Sequence, residues 1–172
     1  MMKIIDNIFD ECLLIEPTVR KDNRGLMEVF YRKNEFSNLI QNFEIKEQRF
    51  YSIPKKNTFF GIHYQDKEKA HGKLISVIQG KGLDYVVDLR PGSNTYKKYI
   101  SFELEANLPR LVYIAPGFGH GFLTLEDHTI QLFAIDEYFD NEKKSVISYK
   151  DPEIGLKLPV EDLIISDYDR NA

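Results

Sequence analysis

The sequence predicts an all-β fold, and three observations carry that expectation. Apolar residues recur with a period of two along much of the chain, and turn signals interrupt them at regular intervals. The aromatic content is 12 Phe and 10 Tyr with no Trp. Period two is the mark of a half-buried strand, and Phe and Tyr pack well on a pleated surface. About ten short strands spaced in this way indicate a sandwich or a barrel. At 172 residues the chain is sized as one domain, residues 1–172, able to bury roughly 70% of its unfolded surface.

The elements follow in chain order. Residues 34–41 read as a short helix near the N-terminus, with Phe36, Leu39 and Ile40 forming an apolar stripe. Strand-rich runs then occupy 46–53, 58–64 and 73–79. After the turn Gly80-Lys-Gly82, residues 82–90 place Leu83, Tyr85, Val87 and Leu89 on one face. Arg90-Pro-Gly-Ser-Asn94 supplies the next reversal. Residues 97–104 alternate again, with Lys98, Ile100, Phe102 and Leu104 on one side. Runs at 110–115, 121–125 and 130–139 complete the set, with the turn Ala115-Pro-Gly-Phe-Gly119 between the first two. From Ser145 the pattern loosens into an irregular C-terminal segment. It is expected to pack, because Ile154, Leu156, Leu158, Val160, Leu163, Ile164 and Ile165 need cover.

Composition narrows the function classes. The formal charge is −4, without the basic surplus of a generic nucleic-acid binder or a polybasic membrane anchor. Asp6, Asp10 and Glu11 interrupt any apolar core at the N-terminus, and no run approaches the ~20 apolar residues of a membrane span. Cys12 is the single cysteine, so neither an intrachain disulfide nor a cysteine zinc site can form. A reducing cytoplasm is the expected location.

Candidate chemistry centres on four histidines: His63, His71, His120 and His128. His63 sits in Gly61-Ile-His-Tyr-Gln65 and His120 follows Pro116-Gly-Phe-Gly119, both near expected strand ends where an imidazole would face a barrel mouth. A metal-binding barrel would place a second histidine at Gln65, and its absence leaves the usual nitrogen and oxygen ligand set incomplete. No dinucleotide fingerprint, nucleophile elbow or Walker loop occurs.

Seven motifs come in order: Asp22-Asn-Arg-Gly25; Gly61-Ile-His-Tyr-Gln65; Gly72-Lys-Leu74; Val87-Asp-Leu-Arg90 with Gly92-Ser-Asn-Thr-Tyr96; Pro116-Gly-Phe-Gly-His-Gly-Phe122; Asp151-Pro; and Ser166-Asp-Tyr-Asp169. Together they resemble the dTDP-4-dehydrorhamnose 3,5-epimerase family over residues 16–169. The resemblance implies a double-stranded β-helix of the cupin (jelly-roll) type, no cofactor and no metal. It also implies a nucleotide-diphosphate sugar as substrate and a homodimer with an exchanged N-terminal strand. In such a 4-keto sugar the C–H bonds at C3 and C5 flank the carbonyl and are acidic. Inversion needs a base, a positive group for the enolate oxygen, and an acid on the opposite face. The motif positions imply His63 as base, Asp169 as its orienting partner, and Lys73 and His120 near the enolate. Arg24 would meet the diphosphate, and Gln48 and Glu28 would contact substrate. Tyr138 and Phe139 occupy the stretch that stacks on the nucleotide base. The plain alternatives make Lys73 a solvated strand residue, Asp169 a tail charge and Arg24 a turn salt bridge.

The chain departs from the family pattern at four places. Phe133 stands where the reprotonating Tyr belongs, and Tyr51, Tyr64, Tyr138 or water are the replacement donors on offer. Phe60 replaces a basic residue and Phe50 a polar one. Glu28 comes one position early, and a one-residue slip on a strand reverses the face. Three readings follow: an epimerase acting at C3, C5 or both; a 3,4-ketoisomerase using the same enolisation; and a sugar-nucleotide-binding module without turnover.

Overall fold

The computed structural model describes residues 1–172, except for the side chain of Lys67. The chain forms two facing antiparallel sheets in a jelly-roll arrangement. Its strands are β1 (Lys3–Ile8), β2 (Cys12–Glu16), β3 (Thr18–Asp22), β4 (Gly25–Val29), β5 (Glu47–Ile53), β6 (Thr58–Gln65) and β7 (Lys73–Gln79). They continue with β8 (Lys81–Asp88), β9 (Tyr99–Glu105), β10 (Leu111–Ile114), β11 (Phe118–Thr124), β12 (Thr129–Ile135), β13 (Lys144–Val146) and β14 (Ile164–Ile165). Two short helices, α1 (Lys33–Leu39) and α2 (Asp167–Arg170), complete the fold. The first sheet runs β1-β2-β10-β7-β12-β5, the second β13-β6-β11-β8-β9, with β14 lying parallel to β6. β3 and β4 pair only with each other, as a separate hairpin.

Alternation is resolved as two apolar layers. In β8 one face sends Val86 into the main core, the same buried cluster as Ile75, Val77, Phe102, Leu104 and Phe122. The opposite face sends Leu83, Tyr85 and Val87 outward with Leu89, where the C-terminal segment covers them. Ile154, Leu156, Leu158, Val160, Leu163 and Ile165 supply that cover, so the tail closes the outer face of the second sheet. Ile164 is the exception to the expected burial and stays half exposed, because it alternates away from Ile165.

Several boundaries differ from the sequence expectation, each for a local reason. The C-terminal segment is not irregular throughout: it contains β13, β14 and α2, and the Ser166 hydroxyl caps α2 by accepting the Asp169 N–H at 3.1 Å. The run at 130–139 ends as a strand at Ile135, and the next residue, Asp136, accepts the Gly72 N–H at 2.8 Å. Lys97 is left-handed (φ 61°), so its strand starts at Tyr99. The turn before β11 is over by Phe118. His120 is therefore a mid-strand residue, not one at a strand end. Periodicity does not mark β1 to β4, since β1 and β3 are largely exposed on both faces; an N-terminal strand and the strand of Glu28 enter only through the family resemblance.

Close approach between β6 and β11 sets the geometry of the site. Gly61 has φ +119°, and a Cβ there would lie 2.7 Å from both Gly121 Cα and His120 O. With glycine at 61 and 121 the backbones can touch, and an extra residue in β6 between Phe60 and His63, facing His120–Phe122 of β11, sets the register that brings His120 directly opposite His63.

Candidate active site

The two sheets and the C-terminal helix enclose a cleft of about 440 Å³, within the usual size range of small-molecule sites. One wall belongs to the second sheet and the tail: Phe60 and His63 from β6, His120 from β11, Tyr168 and Asp169 from α2. The other belongs to the first sheet: Arg49 and Tyr51 from β5, Lys73 from β7, Gln131 and Phe133 from β12. On that wall the pairing lines up rows across the strands. Lys73 and Glu47 flank Ile135, Ile75 and Arg49 flank Phe133, and Val77 and Tyr51 flank Gln131.

His63 and Asp169 come together although 106 positions separate them. His63 Nε2 lies 2.5 Å from Asp169 Oδ1, and Asp169 is only 2% exposed. Asp169 also accepts the Gly61 N–H at 3.3 Å. Burial pushes this carboxyl up, but the His63 hydrogen bond, its charge and the backbone donor together hold it below the ordinary carboxylate value. An ionised carboxylate can only accept, so the imidazole carries its proton on Nε2 and presents the Nδ1 lone pair to the cleft. That is the tautomer a general base requires.

His120 forms a second pair, with Nε2 2.6 Å from Oδ1 of the fully buried Asp84, which Gln131 also approaches at 3.4 Å. Burial outweighs Asp84 and keeps the His120 imidazole below its ordinary value. Lys73 is buried, and its Nζ donates to the His63 carbonyl at 3.2 Å. Burial lowers its pKa to about 8, with Asp84 opposing the shift. A cation kept partly dehydrated inside the cleft is suited to holding an oxyanion that forms beside it. Among the described residues no three side chains of His, Cys, Asp and Glu converge as a ligand set.

The remaining sequence-selected residues divide. Phe139 lines the cleft, with the Arg49 guanidinium 4.5 Å over its ring, whereas Tyr138 is 62% exposed and outside the lining. Gln48 faces away from the cleft, as does Phe50, because they alternate with Arg49 and Tyr51 on β5. Of the three substituted phenylalanines only Phe60 and Phe133 border the cleft. Arg24 lies on the β3–β4 hairpin, outside the cleft of its own chain, and its Nη2 pairs with Asp22 at 2.7 Å in the turn. Glu28 is half buried on the same hairpin with Oε1 unpartnered, and burial raises its pKa.

The lining also holds residues to which the motifs assign no role: Arg49, Lys144 and Tyr168 are singled out by none of them, while His71 and Tyr51 enter only as one of four histidines and as one of several replacement donors. His71 is buried beside Lys73, donates from Nδ1 to the Lys69 carbonyl at 3.0 Å, and has its pKa lowered to about 4 by burial and by Lys73. Arg49 and Tyr51 share one face of β5 at alternate positions, a signal that was available in the strand pattern. Lys144, 4.4 Å above the Tyr168 ring, and Tyr168 itself come from late segments whose docking the local sequence does not reveal.

With the geometry in place, comparison with known proteins gives a consistent result. The family model for dTDP-4-dehydrorhamnose 3,5-epimerase matches residues 7–172. The dTDP-4-dehydrorhamnose 3,5-epimerase of Methanothermobacter thermautotrophicus is 36% identical, the match covering 98% of this chain and 92% of that protein. A crystal structure of the Bacillus anthracis enzyme of the same name, with TDP and PPi bound, superposes with a TM-score of 0.95 at 35% identity, covering 99% of this chain and 97% of that one. The Legionella pneumophila dTDP-6-deoxy-D-glucose-3,5-epimerase, in complex with dTDP-4-keto-L-rhamnose, gives 0.94 at 30% identity, over 100% and 92% of the two chains.

Proposed function

The chain belongs to the dTDP-4-dehydrorhamnose 3,5-epimerase family, and from that premise we propose that it epimerises a dTDP-linked 4-keto-6-deoxy sugar in its cleft. The observation that carries the mechanism is the buried Asp169 carboxylate on His63 Nε2. His63 Nδ1 takes the proton from a carbon beside the C4 carbonyl. The electron pair moves onto the carbonyl oxygen as an enolate, which Lys73 and His120 stabilise. Asp169 holds the imidazolium until its proton passes to water. Reprotonation from the opposite face inverts the carbon. The solved relatives that hold TDP or a dTDP-keto sugar support the choice of nucleotide.

A homodimer with residues 1–172 acting as one domain completes the reading. Its support is the β3–β4 hairpin, which pairs with no other strand yet exposes Val19, Leu26 and Met27 beside Arg24. No helix is long and apolar enough to cross a membrane, which is compatible with a cytoplasmic site of action.

Incubation in D₂O with dTDP-4-keto-6-deoxyglucose, followed by NMR, tests the function. Deuterium is expected at C3, C5 or both, and the His63→Ala variant is expected to show none. Binding without exchange at either carbon would leave only a sugar-nucleotide-binding module. Exchange that survives in His63→Ala would remove His63 as the base.

A further inference from the structure

We propose that Tyr51 is the proton donor of this enzyme, acting from the wall on which Phe133 stands. The inference rests on the epimerase reading above and fills the step that Phe133, which has no acidic proton, cannot perform. Inversion requires that the proton leave from one face of the sugar and return from the other. His63 acts from the second sheet, so the donor belongs on the first. Tyr64, on β6, and Tyr168, whose ring centre is 6.1 Å from that of His63, flank the base itself and stand on the wrong wall. Tyr138 lies outside the cleft. Tyr51 meets the requirement: it is on β5, faces the cleft, and lies one row from Phe133.

Its setting fits the task. The Tyr51 ring lies nearly parallel to Phe133, with centroids 5.6 Å apart and an interplanar angle of 11°, and tilts against Phe60 at 5.3 Å. Two flat hydrophobic neighbours therefore hold the phenol in one orientation. Its hydroxyl has no hydrogen-bond partner among the described residues, which leaves it free for a ligand. The residue is 43% exposed, so the spent phenolate can recover a proton from water at the cleft mouth. In the step itself the enolate π pair forms a new C–H bond with the Tyr51 Oη proton. The C4 carbonyl re-forms and tyrosinate remains. Water then reprotonates the phenolate and removes the proton from the His63 imidazolium, so the cycle closes without a redox change.

Tyr51→Phe keeps the ring and its stacking and removes only the hydroxyl. Expected in D₂O is a fall of about 10²-fold or more in inverted product, with deuterium wash-in at the unchanged configuration persisting, because His63 still opens and recloses the C–H bond. Adding Phe133→Tyr to that variant, which places a phenol one row away on the same wall, is expected to recover at least about tenfold of the lost inversion. Inversion within about threefold of the parent enzyme in Tyr51→Phe overturns the assignment. So does joint loss of wash-in and inversion, since a pure donor acts after the C–H bond has broken. Absence of wash-in from the unmodified protein is a different result and removes the epimerase reading itself.

Discussion

Lys73 shows at the residue scale how function and stability conflict. Its ammonium reaches from the first sheet to the His63 carbonyl of the second, and burial there lowers its pKa to about 8. Between that value and the ~10.5 of an unfolded lysine, the unfolded chain binds more protons. Stability therefore rises as pH increases from about 8 to 10.5, and the full penalty is present below 8. A shift of this size is worth about 3 kcal/mol, and loss of the bond to the His63 carbonyl gives back about 1. Lys73→Met is thus expected to stabilise the protein by about 2 kcal/mol at pH 7 in urea unfolding, with the gain fading toward pH 10. The same variant should lose turnover, and the parent enzyme should lose it as pH rises through about 8. A gain over the parent no larger at pH 7 than at pH 10 would show that the ammonium is not held at a cost. The sequence marked this lysine by its motif, but only folding shows that it is buried rather than a solvated strand residue.

At the scale of the element, the site depends on how closely β6 and β11 approach. Gly61→Ala would force a Cβ to 2.7 Å from Gly121 Cα and His120 O, at a backbone φ of +119° that alanine rarely adopts. Both contacts are backbone, which cannot rotate away, so the strands must separate. The expected cost is about 3 kcal/mol or more, with kcat reduced because His63, His120 and the Gly61 N–H on Asp169 all shift together. Denaturant unfolding and turnover measured on one preparation check this. A variant of unchanged stability would mean that the strands have slack the structure does not show. The same two strands illustrate what a sequence conveys. Alternation in 82–90 was legible because one face of β8 is wholly apolar while the other carries Gly82, Asp84 and Asp88 around Val86. The alternation of Arg49 and Tyr51 on β5 was equally open to reading, but where the early Glu28 would point was not, because an isolated hairpin buries too little for pattern to fix orientation. The Asp169 partnership was reached only through motif order, since no local property of residues 166–169 points to β6.

At the scale of the whole molecule, the open matter is which cleft Arg24 serves. Its guanidinium side chain is 85% exposed, pairs with Asp22 in its own turn, and sits on a hairpin that joins neither sheet of its chain. A hairpin exposing Leu26 and Met27 leaves apolar surface in water unless a second copy covers it. A closed two-fold dimer would cover both hairpins at once and could carry each Arg24 to the opposite cleft. The arrangement has a specific consequence. Arg24→Ala lacks the diphosphate contact and His63→Ala lacks the base, so each variant alone should be nearly inactive. Unfolded, mixed in equal amounts and refolded, half of the dimers would pair one variant with the other. In each such dimer the cleft that keeps His63 receives an intact Arg24 from its partner. One site in four is then complete, and activity should return to about a quarter of the parent level. If Arg24 serves its own chain, no cleft in the mixture holds both residues, and mixing should restore nothing.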